Sequence, residues 1–200
     1  MESFNNEKIM ATVVEKGSKY YDEYKIVEIE YSEPKYVSQR SIDSTTKNTF
    51  TEVKPVKKDV AILLTRDGEY IGNISFSVLH DNTAHVGISV LHKGLPKQLS
   101  CYVENAHRYL ALHLSESYIE KMANGRMQRY KEMTTSKINT LIELMLKYSV
   151  ENGLDMITID DTIDSEYSLD YQILGARRIL PDFLAFENIN ELVEENKHRL

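Results

Sequence analysis

The fold of this protein is decided by residues 134–176, which read TTSKINTLIELMLKYSVENGLDMITIDDTIDSEYSLDYQILGA. After a polar cluster at residues 134–136, apolar side chains recur at helical spacing up to Gly153, where a left-handed C-terminal cap is expected. Residues 154–159 are too short for a helix and rich in β-branched side chains, so they predict a strand. A second helix is expected from an acidic cap at residues 164–166 to Gly175. These elements, joined so closely, predict one mixed α/β layer structure.

Composition and charge are those of an ordinary globular chain. Of the 200 residues, 28% are charged and 42% hydrophobic, which fits a single domain with a sizeable core. The net charge of -7 argues against a nucleic-acid partner, because phosphate binding is driven by clustered Lys and Arg. One cysteine, Cys101, and no apolar N-terminal segment favour a cytoplasmic location. No run approaches the roughly 20 apolar residues that span a bilayer, so no membrane is expected.

The chain before residue 134 has an obscure part and a clear one. Residues 1–58 are of uncertain structure. Strands are expected at residues 8–14 and 24–31, with a helix at residues 6–16 as the alternative to the first strand. A loop is expected over residues 32–58, with one short strand at residues 49–53. From residue 59 the pattern predicts a three-stranded antiparallel meander with one buried face. Its expected parts are a strand at residues 60–64, a turn at Asp67 and Gly68, an alternating strand through Ile74, and a third strand over residues 86–91.

The remaining segments complete the predicted domain, which extends from residue 59 to residue 200. An insertion at about residues 93–131 contains a helical stripe over residues 99–122 and a basic connector at residues 126–131. Beyond Gly175, two short strands at residues 176–180 and 183–186 precede an acidic helix from Asn190.

This order of elements resembles the acyl-CoA N-acyltransferases of the GNAT superfamily. Residues 67–74, DGEYIGNI, are similar to the second hairpin of that family, and residues 134–144 are placed like its cofactor-binding turn and helix. Residues 171–176, YQILGA, are similar to the motif that ends the last major helix of the family, in which a tyrosine is followed by three residues, a glycine and an apolar residue. The resemblance covers residues 59–187. It implies a GNAT-like α/β fold, with a mixed central sheet, flanking helices and an inserted helix before the cofactor-binding helix.

The resemblance implies acetyl-CoA as co-substrate, held at two places. The pyrophosphate turn of the family carries glycine or alanine where Lys137 and Asn139 stand here, but a helix N-terminus with Thr and Ser donors still suits phosphate. The residues expected at this turn are Thr134, Thr135, Ser136, Lys137, Ile138 and Asn139. The strand that would expose backbone groups to the pantetheine arm holds Ile88, Ser89 and Val90. Residues 93–96, KGLP, are the alternative phosphate site.

The same resemblance assigns the catalytic groups. Tyr171 would be the general acid, because a phenol with a pKa of about 10 is still protonated at neutral pH; the alternative is that it only packs on the preceding helix. His85 is the first candidate for the general base, and Asp160 and Asp161 are its alternatives. The histidine spacing matches no common zinc pattern, so no metal is expected.

The sequence therefore predicts an N-acyltransferase that moves an acetyl group from acetyl-CoA to an amine, either a small amine or a protein lysine or N-terminus. The negative net charge favours a cationic acceptor. The alternative is a catalytically inactive GNAT-like protein that binds another protein through the inserted helix, which could also form a homodimer interface. Free N–H groups at residues 134–139, facing an open cleft, would favour the enzyme.

Overall fold

A computed structural model describes residues 9–15, 35–43, 45–87, 89–91, 112–114, 127–162 and 167–196. Ten strands and three helices lie within these residues. The strands are β1 (Ile9–Glu15), β2 (Lys35–Ile42), β3 (Thr49–Arg66), β4 (Glu69–Leu79), β5 (Thr83–Val86), β6 (Ser89–Leu91), β7 (Leu112–Leu114), β8 (Met156–Asp160), β9 (Arg177–Leu180) and β10 (Phe183–Glu187). The helices are α1 (Met127–Glu151), α2 (Ser168–Ile173) and α3 (Ile189–Asn196).

The described strands form a mixed sheet in a mixed α/β structure. Eight of them are neighbours in the order β6-β2-β3-β4-β5-β8-β10-β9, while β1 pairs with β3 and β7 pairs with β4. Among the described strands, β5 and β8 are the one parallel pair, and every other pairing is antiparallel. The predicted antiparallel meander is confirmed, with β5 as its third strand in place of the strand expected at residues 86–91. The two short strands predicted at residues 176–180 and 183–186 are confirmed as β9 and β10.

Strand β3 is much longer than the sequence predicted. Its first part, residues 49–55, pairs with β2, and its second part pairs with β1 and β4. The short strand expected at residues 49–53 is confirmed as part of β3. The loop expected over the rest of residues 32–58 is wrong, because β2 and the first part of β3 occupy most of the described residues there. Their polar composition is typical of a loop, but cross-strand pairing satisfies the backbone groups whatever the side chains are.

Apolar side chains cover one face of the sheet, and α1 packs on it. This core joins Ile138, Leu141, Ile142 and Met145 of α1 to Ile62, Ile74, Phe76, Val86, Ile157, Ile159, Leu184 and Phe186 of the strands. We call this side of the sheet the helix face. Phe76 and Tyr148 meet edge to face, with ring centroids 5.5 Å apart. Burial of these side chains supplies most of the free energy that holds α1 to the sheet.

The opposite face, which we call the hairpin face, is also buried near β5 and β8. Gln39 of β2 donates a hydrogen bond to Thr158 of β8, so the hairpin of β2 and the first part of β3 folds over this side of the sheet. All four residues of β5 are buried. The expectation of one buried face in the meander is therefore wrong, because most of the hairpin that covers the second face was predicted to be a loop.

Helix α1 begins earlier than expected and ends where expected. Residues 134–136 lie inside it, and so do residues 127–131, which were predicted to be a connector. At its C-terminal end, Gly153 adopts a φ of +66°, and the Leu154 N–H donates to the Ser149 carbonyl at 2.9 Å. The left-handed cap at Gly153 is confirmed, as is the stop at Gly175, where φ is +108°.

A small polar cluster ties α1 to the edge of the sheet. Lys58 Nζ of β3 lies 2.7 Å from the Glu15 carboxylate of β1, and the Tyr148 hydroxyl of α1 donates to the same carboxylate at 3.2 Å. The bond from Lys58 lowers the pKa of Glu15. Strand β1 is thereby linked to α1 as well as to β3. The strand predicted there is confirmed, and the alternative helix is excluded over the residues that β1 occupies.

Three other expectations meet the structure only in part. Residues 112–114 form β7, so the helix expected over residues 99–122 is wrong at that point. The rest of that segment lies outside the described residues, and so does the strand expected at residues 24–31. Helix α2 begins after Tyr167, which caps it without a side-chain hydrogen bond, and the acidic cap expected at residues 164–166 also lies outside them. In the described part of the chain, no helix is long and apolar enough to cross a membrane.

Candidate functional site

The candidate site lies where the parallel strands β5 and β8 end. Their pairing runs from Thr83 beside Met156 to Val86 beside Ile159. After Val86 the chain passes Gly87 and reaches β6, which pairs with β2, while β8 ends at Asp160 and enters a turn. The pairing of β5 with β8 therefore ends at Val86 and Ile159, and the next described strand along the chain, β6, pairs with β2 instead. In α/β proteins this edge of a sheet is where ligand sites gather.

Three polar side chains are buried together on the hairpin face beside this edge. The Gln39 amide donates to Thr158 Oγ1 at 2.7 Å, and Thr158 Oγ1 donates to the Ala84 carbonyl at 3.2 Å. His85 Nδ1 lies 2.9 Å from the same Oγ1. The His85 ring stacks on Phe183 of β10 with centroids 5.8 Å apart. His85 is thus held on one side by a hydroxyl and on its flat side by an aromatic ring.

His85 is neutral at physiological pH. Its side chain is only 1% exposed, and burial, helped by the positive charge of Lys54, lowers its pKa to about 4. Lys54 itself is ion-paired with Asp81 at 2.8 Å. The second ring nitrogen of His85, Nε2, has no hydrogen-bond partner among the described residues. The cluster therefore presents an uncharged imidazole with one unused nitrogen.

Gly87 provides the space for that nitrogen. A Cβ atom at residue 87 would lie 2.4 Å from His85 Nε2 and 3.1 Å from the Cβ of Asp160. Real Cβ atoms do not approach other atoms so closely, so only glycine fits without movement of its neighbours. The imidazole Nε2 consequently lies directly over the backbone at Gly87, just after β5 ends.

The two aspartates at the end of β8 have different surroundings. Asp160 accepts hydrogen bonds from the backbone and the hydroxyl of Thr162. Asp161 is buried, and its Oδ2 lies 2.8 Å from Nη2 of Arg178, which also donates to Ser168 at 2.7 Å. Asp161 Oδ1 has no partner among the described residues. Asp160 lies nearer to Gly87 and His85, while Asp161 belongs to the ion pair that joins β8, β9 and α2.

Tyr171 and His85 lie on opposite faces of the sheet. Tyr171 is 0% exposed and contacts Phe186 edge to face, with centroids 6.3 Å apart. Phe186 points to the helix face, whereas Phe183, three residues earlier in β10, stacks on His85 at the hairpin face. The structure therefore does not bring the predicted acid and the predicted base together. Tyr171 packs in the core, as the alternative interpretation expected, and its catalytic role remains a prediction.

The residues predicted to bind the cofactor fall in two places. Lys137 and Ile138 are buried in α1, and because residues 134–139 lie well inside this helix, their backbone N–H groups face carbonyls four residues earlier. The turn with free N–H groups, expected before the helix, is therefore wrong as local structure. Ser89 and Val90 lie in β6, and Ile88 lies outside the described residues. The continuous strand expected over residues 86–91 is also wrong, because β5 ends at Val86. Whether these residues bind a cofactor remains a prediction.

Sequence reasoning missed Gln39 and Thr158. Thr158 lies in a predicted strand, where a threonine is an ordinary β-branched residue. Gln39 lies in a segment predicted to be a loop, and it is 119 residues from its partner. Nothing local signals such a contact. In the part of the chain that the structure describes, no three His, Cys, Asp or Glu side chains are close enough to hold a metal ion.

Comparison with known proteins adds little to this geometry. No family model matches the chain. No curated protein matches it either. Among solved structures, the chain is similar to a presumed streptothricin acetyltransferase from Bacillus anthracis str. Ames in complex with acetyl coenzyme A. The alignment covers 89% of this chain and 99% of that chain, with 9% sequence identity and a TM-score of 0.34. A similarity this low shows neither a common activity nor the details of the fold.

Proposed function

We propose that this protein is an acyl-CoA-dependent N-acyltransferase that moves an acetyl group from acetyl-CoA to an amine. The observation that supports it is the end of the β5–β8 pairing at Val86 and Ile159, after which β6 pairs with β2. Backbone N–H and C=O groups beyond the last pair of a parallel ladder can bind the amides of a pantetheine arm and a thioester carbonyl. The GNAT resemblance in the sequence assigns this role to the strand expected over residues 86–91, which begins where β5 ends.

The chemistry asks little of side chains. A thioester carbonyl must be held against a neutral amine, the oxyanion that develops must be stabilised, and the departing thiolate must receive a proton. The two candidate groups lie on opposite faces of the sheet. His85 on the hairpin face would then serve the amine, and Tyr171 on the helix face would serve the thiolate. Neither role requires the two residues to touch.

The acceptor in this proposal is a cationic amine, either a small molecule or a lysine or N-terminus of a protein. The net charge of -7 attracts cations over the whole surface and would raise their local concentration. The amine must lose its charge before it attacks, because only its lone pair is nucleophilic.

A second candidate function is a catalytically inactive protein that binds another protein. The continuity of α1 favours it, because residues 134–139 lie inside the helix and offer no free N–H groups to a phosphate. In this alternative the β5–β8 edge is a relic of a cofactor site. The two candidates differ in whether the protein binds acetyl-CoA at all.

A thermal unfolding scan with and without millimolar acetyl-CoA tests the proposal. Ligand at 100 times its dissociation constant adds about 2.7 kcal/mol of stability, which raises the melting temperature by several degrees in a chain of this size. Coenzyme A without its 3′-phosphate and free adenosine diphosphate are the matched ligand controls. A shift with acetyl-CoA, followed by thiol release in the presence of a panel of amines, is the expected result. The absence of any shift and of any thiol release would contradict the proposal and favour the inactive alternative.

A further inference from the structure

The hydroxyl of Thr158 uses all of its hydrogen-bonding capacity. A threonine hydroxyl has one hydrogen to donate and two lone pairs to accept with. The Ala84 carbonyl can only accept, so its 3.2 Å contact with Thr158 Oγ1 is a hydrogen bond in which Thr158 donates its one hydrogen. The Gln39 amide nitrogen can only donate, and it fills one lone pair.

This arrangement favours one tautomer of His85. When Thr158 gives its hydrogen to Ala84, the 2.9 Å contact between Thr158 Oγ1 and His85 Nδ1 is a hydrogen bond that Nδ1 donates. A neutral imidazole has a single N–H, so Nε2 then carries a lone pair. That lone pair lies over Gly87, and it has no partner among the described residues.

A buried acceptor without a partner costs about 1–3 kcal/mol of stability. His85 could avoid this cost with an N–H at Nε2 only if it found an acceptor there, and the described residues supply none. Thr158 and Phe183 hold this lone pair in one orientation, against Gly87 and beside the end of the β5–β8 pairing. A lone pair without a partner is suited to receive a hydrogen from a ligand.

We propose that Gln39 and Thr158 are positioning residues that hold His85 as the Nδ1–H tautomer, so that Nε2 accepts a proton from the acceptor amine. This inference rests on the proposed acetyl transfer. It adds two residues, from strands far apart in the sequence, to the functional site.

The step balances with the groups already named. The amine nitrogen attacks the carbonyl carbon of the thioester, a C–N bond forms, and one hydrogen of the nitrogen passes as a proton to His85 Nε2. The carbonyl then re-forms and the C–S bond breaks. Tyr171 gives its proton to the thiolate sulfur, and the proton on His85 replaces it through solvent. The products are an amide and the thiol of coenzyme A, and nothing is oxidised or reduced.

Three variants separate positioning from simple packing. Thr158→Val keeps the shape and removes the hydroxyl, Thr158→Ser keeps the hydroxyl, and His85→Phe keeps a ring that can stack on Phe183. For the amine that the wild type acetylates best, we expect kcat to fall about 100-fold in His85→Phe and about tenfold in Thr158→Val, because general-base catalysis contributes on this scale. Thr158→Ser should stay within about twofold of the wild type, and the KM for acetyl-CoA should be unchanged in all three.

The tautomer gives a readout that packing alone would not move. Long-range ¹H–¹⁵N correlation spectra of the imidazoles at pH 7.5 should show His85 with a protonated Nδ1 and a bare Nε2 in the wild type and in Thr158→Ser. In Thr158→Val the bare Nε2 signal should give way to a protonated one. Gln39→Leu should broaden or mix the two forms, since Thr158 is then free to turn.

The outcomes distinguish the inference from the proposed function. If the wild type transfers acetyl groups, and the Thr158→Val variant has the same kcat and the same imidazole spectrum, the inference is overturned while the acetyltransferase activity stands. A protonated Nε2 in the wild type would also overturn the inference and leave the acetyltransferase standing, because Nε2 would then have no lone pair to accept a proton. A wild-type protein that neither binds acetyl-CoA nor acetylates any amine would overturn both.

Discussion

At the scale of single residues, the candidate site depends on His85 and Gly87. The imidazole fits only because residue 87 has no side chain, and its ring stays neutral because it is buried. Neither property is visible in the local sequence, where a histidine and a glycine two positions apart in a strand are unremarkable. Both properties can be measured without any knowledge of a substrate.

Gly87→Ala should destabilise the protein by about 1–3 kcal/mol, the usual cost of an overpacked site. The added Cβ would lie 2.4 Å from His85 Nε2, and the ring is held by Thr158 and Phe183 and cannot easily turn away. The free energy of unfolding from urea titration is the measurement. In a His85→Ala background the same substitution should cost less, because the atom it strikes has been removed. An equal cost in both backgrounds would show that Asp160, not His85, is the obstacle.

Stability should fall as the solution is acidified between pH 7.5 and pH 5. The pKa of His85 is about 4 in the folded protein and about 6.5 when unfolded, so the unfolded chain binds the proton more readily in this interval. The stabilisation present at pH 7.5 should decrease by about 2 kcal/mol at pH 5. Urea titrations at several pH values measure this slope.

His85→Phe is the control for this pH dependence. Other groups also have shifted pKa values: the bond from Lys58 lowers that of Glu15, and burial raises those of Glu143 and Asp170. Both proteins share these carboxyl groups, so the difference between the two slopes belongs to His85. Parallel slopes would show that His85 is not a buried neutral imidazole.

At the scale of elements, α1 is the largest departure from expectation. The cluster Thr134, Thr135 and Ser136 is typical of a helix start, because these side chains compete for backbone hydrogen bonds. The helix nevertheless runs through it from Met127 to Glu151. No glycine or proline interrupts this span, and the intrinsic penalty of Thr and Ser in a helix is small compared with what packing on the sheet supplies.

Ser136→Pro should cost about 3 kcal/mol or more if residue 136 lies inside α1, since proline removes an internal hydrogen bond and clashes with the preceding turn. At the first turn of a helix, which is where the sequence placed this residue, proline is well tolerated. Urea unfolding monitored by circular dichroism at helical wavelengths gives both stability and helix content. Ser136→Ala is the matched control and should stay within about 0.5 kcal/mol of the wild type. A tolerated proline would restore the predicted turn and the case for a phosphate site there.

At the scale of the whole molecule, the sheet is buried on both faces near β5 and β8 by two different parts of the chain. Helix α1 covers one face with apolar side chains, and the β2–β3 hairpin covers the other through the polar cluster of Gln39, Thr158 and His85. The apolar face should therefore dominate stability, while the polar face should determine what the site can bind.

Leu184→Ala and Leu169→Ala test this division with the same chemical change. Leu184 of β10 is 0% exposed in the core on the helix face, whereas Leu169 of α2 is 68% exposed. We expect the first substitution to reduce the free energy of unfolding by about 2–5 kcal/mol and the second to change it by less than about 0.5 kcal/mol. Similar effects at the two positions would mean that the described core is not the one that holds the protein together.

The elements predicted correctly are those whose signal is local. Each of them carries its own turn residues or its own periodicity. They are the Asp67-Gly68 turn, with φ of +50° and +87°, the left-handed glycines at 153 and 175, the strands β4, β8 and β10, and the helix α3. The β2–β3 hairpin carries no such signal, because its polar residues gain their partners from a neighbouring strand and not from their own segment.

The sequence by itself determined the mixed α/β class, the order of most elements and the choice of His85 as a candidate base. Only the tertiary structure decided that β5 and β8 pair in parallel up to Val86 and Ile159, that Tyr171 and His85 lie on opposite faces, and that Gln39 meets Thr158 from 119 residues away. The physical reason is range. Helix and turn propensities act over a few residues, whereas burial, the pKa of a histidine and the tautomer it adopts depend on groups that only the folded chain brings together.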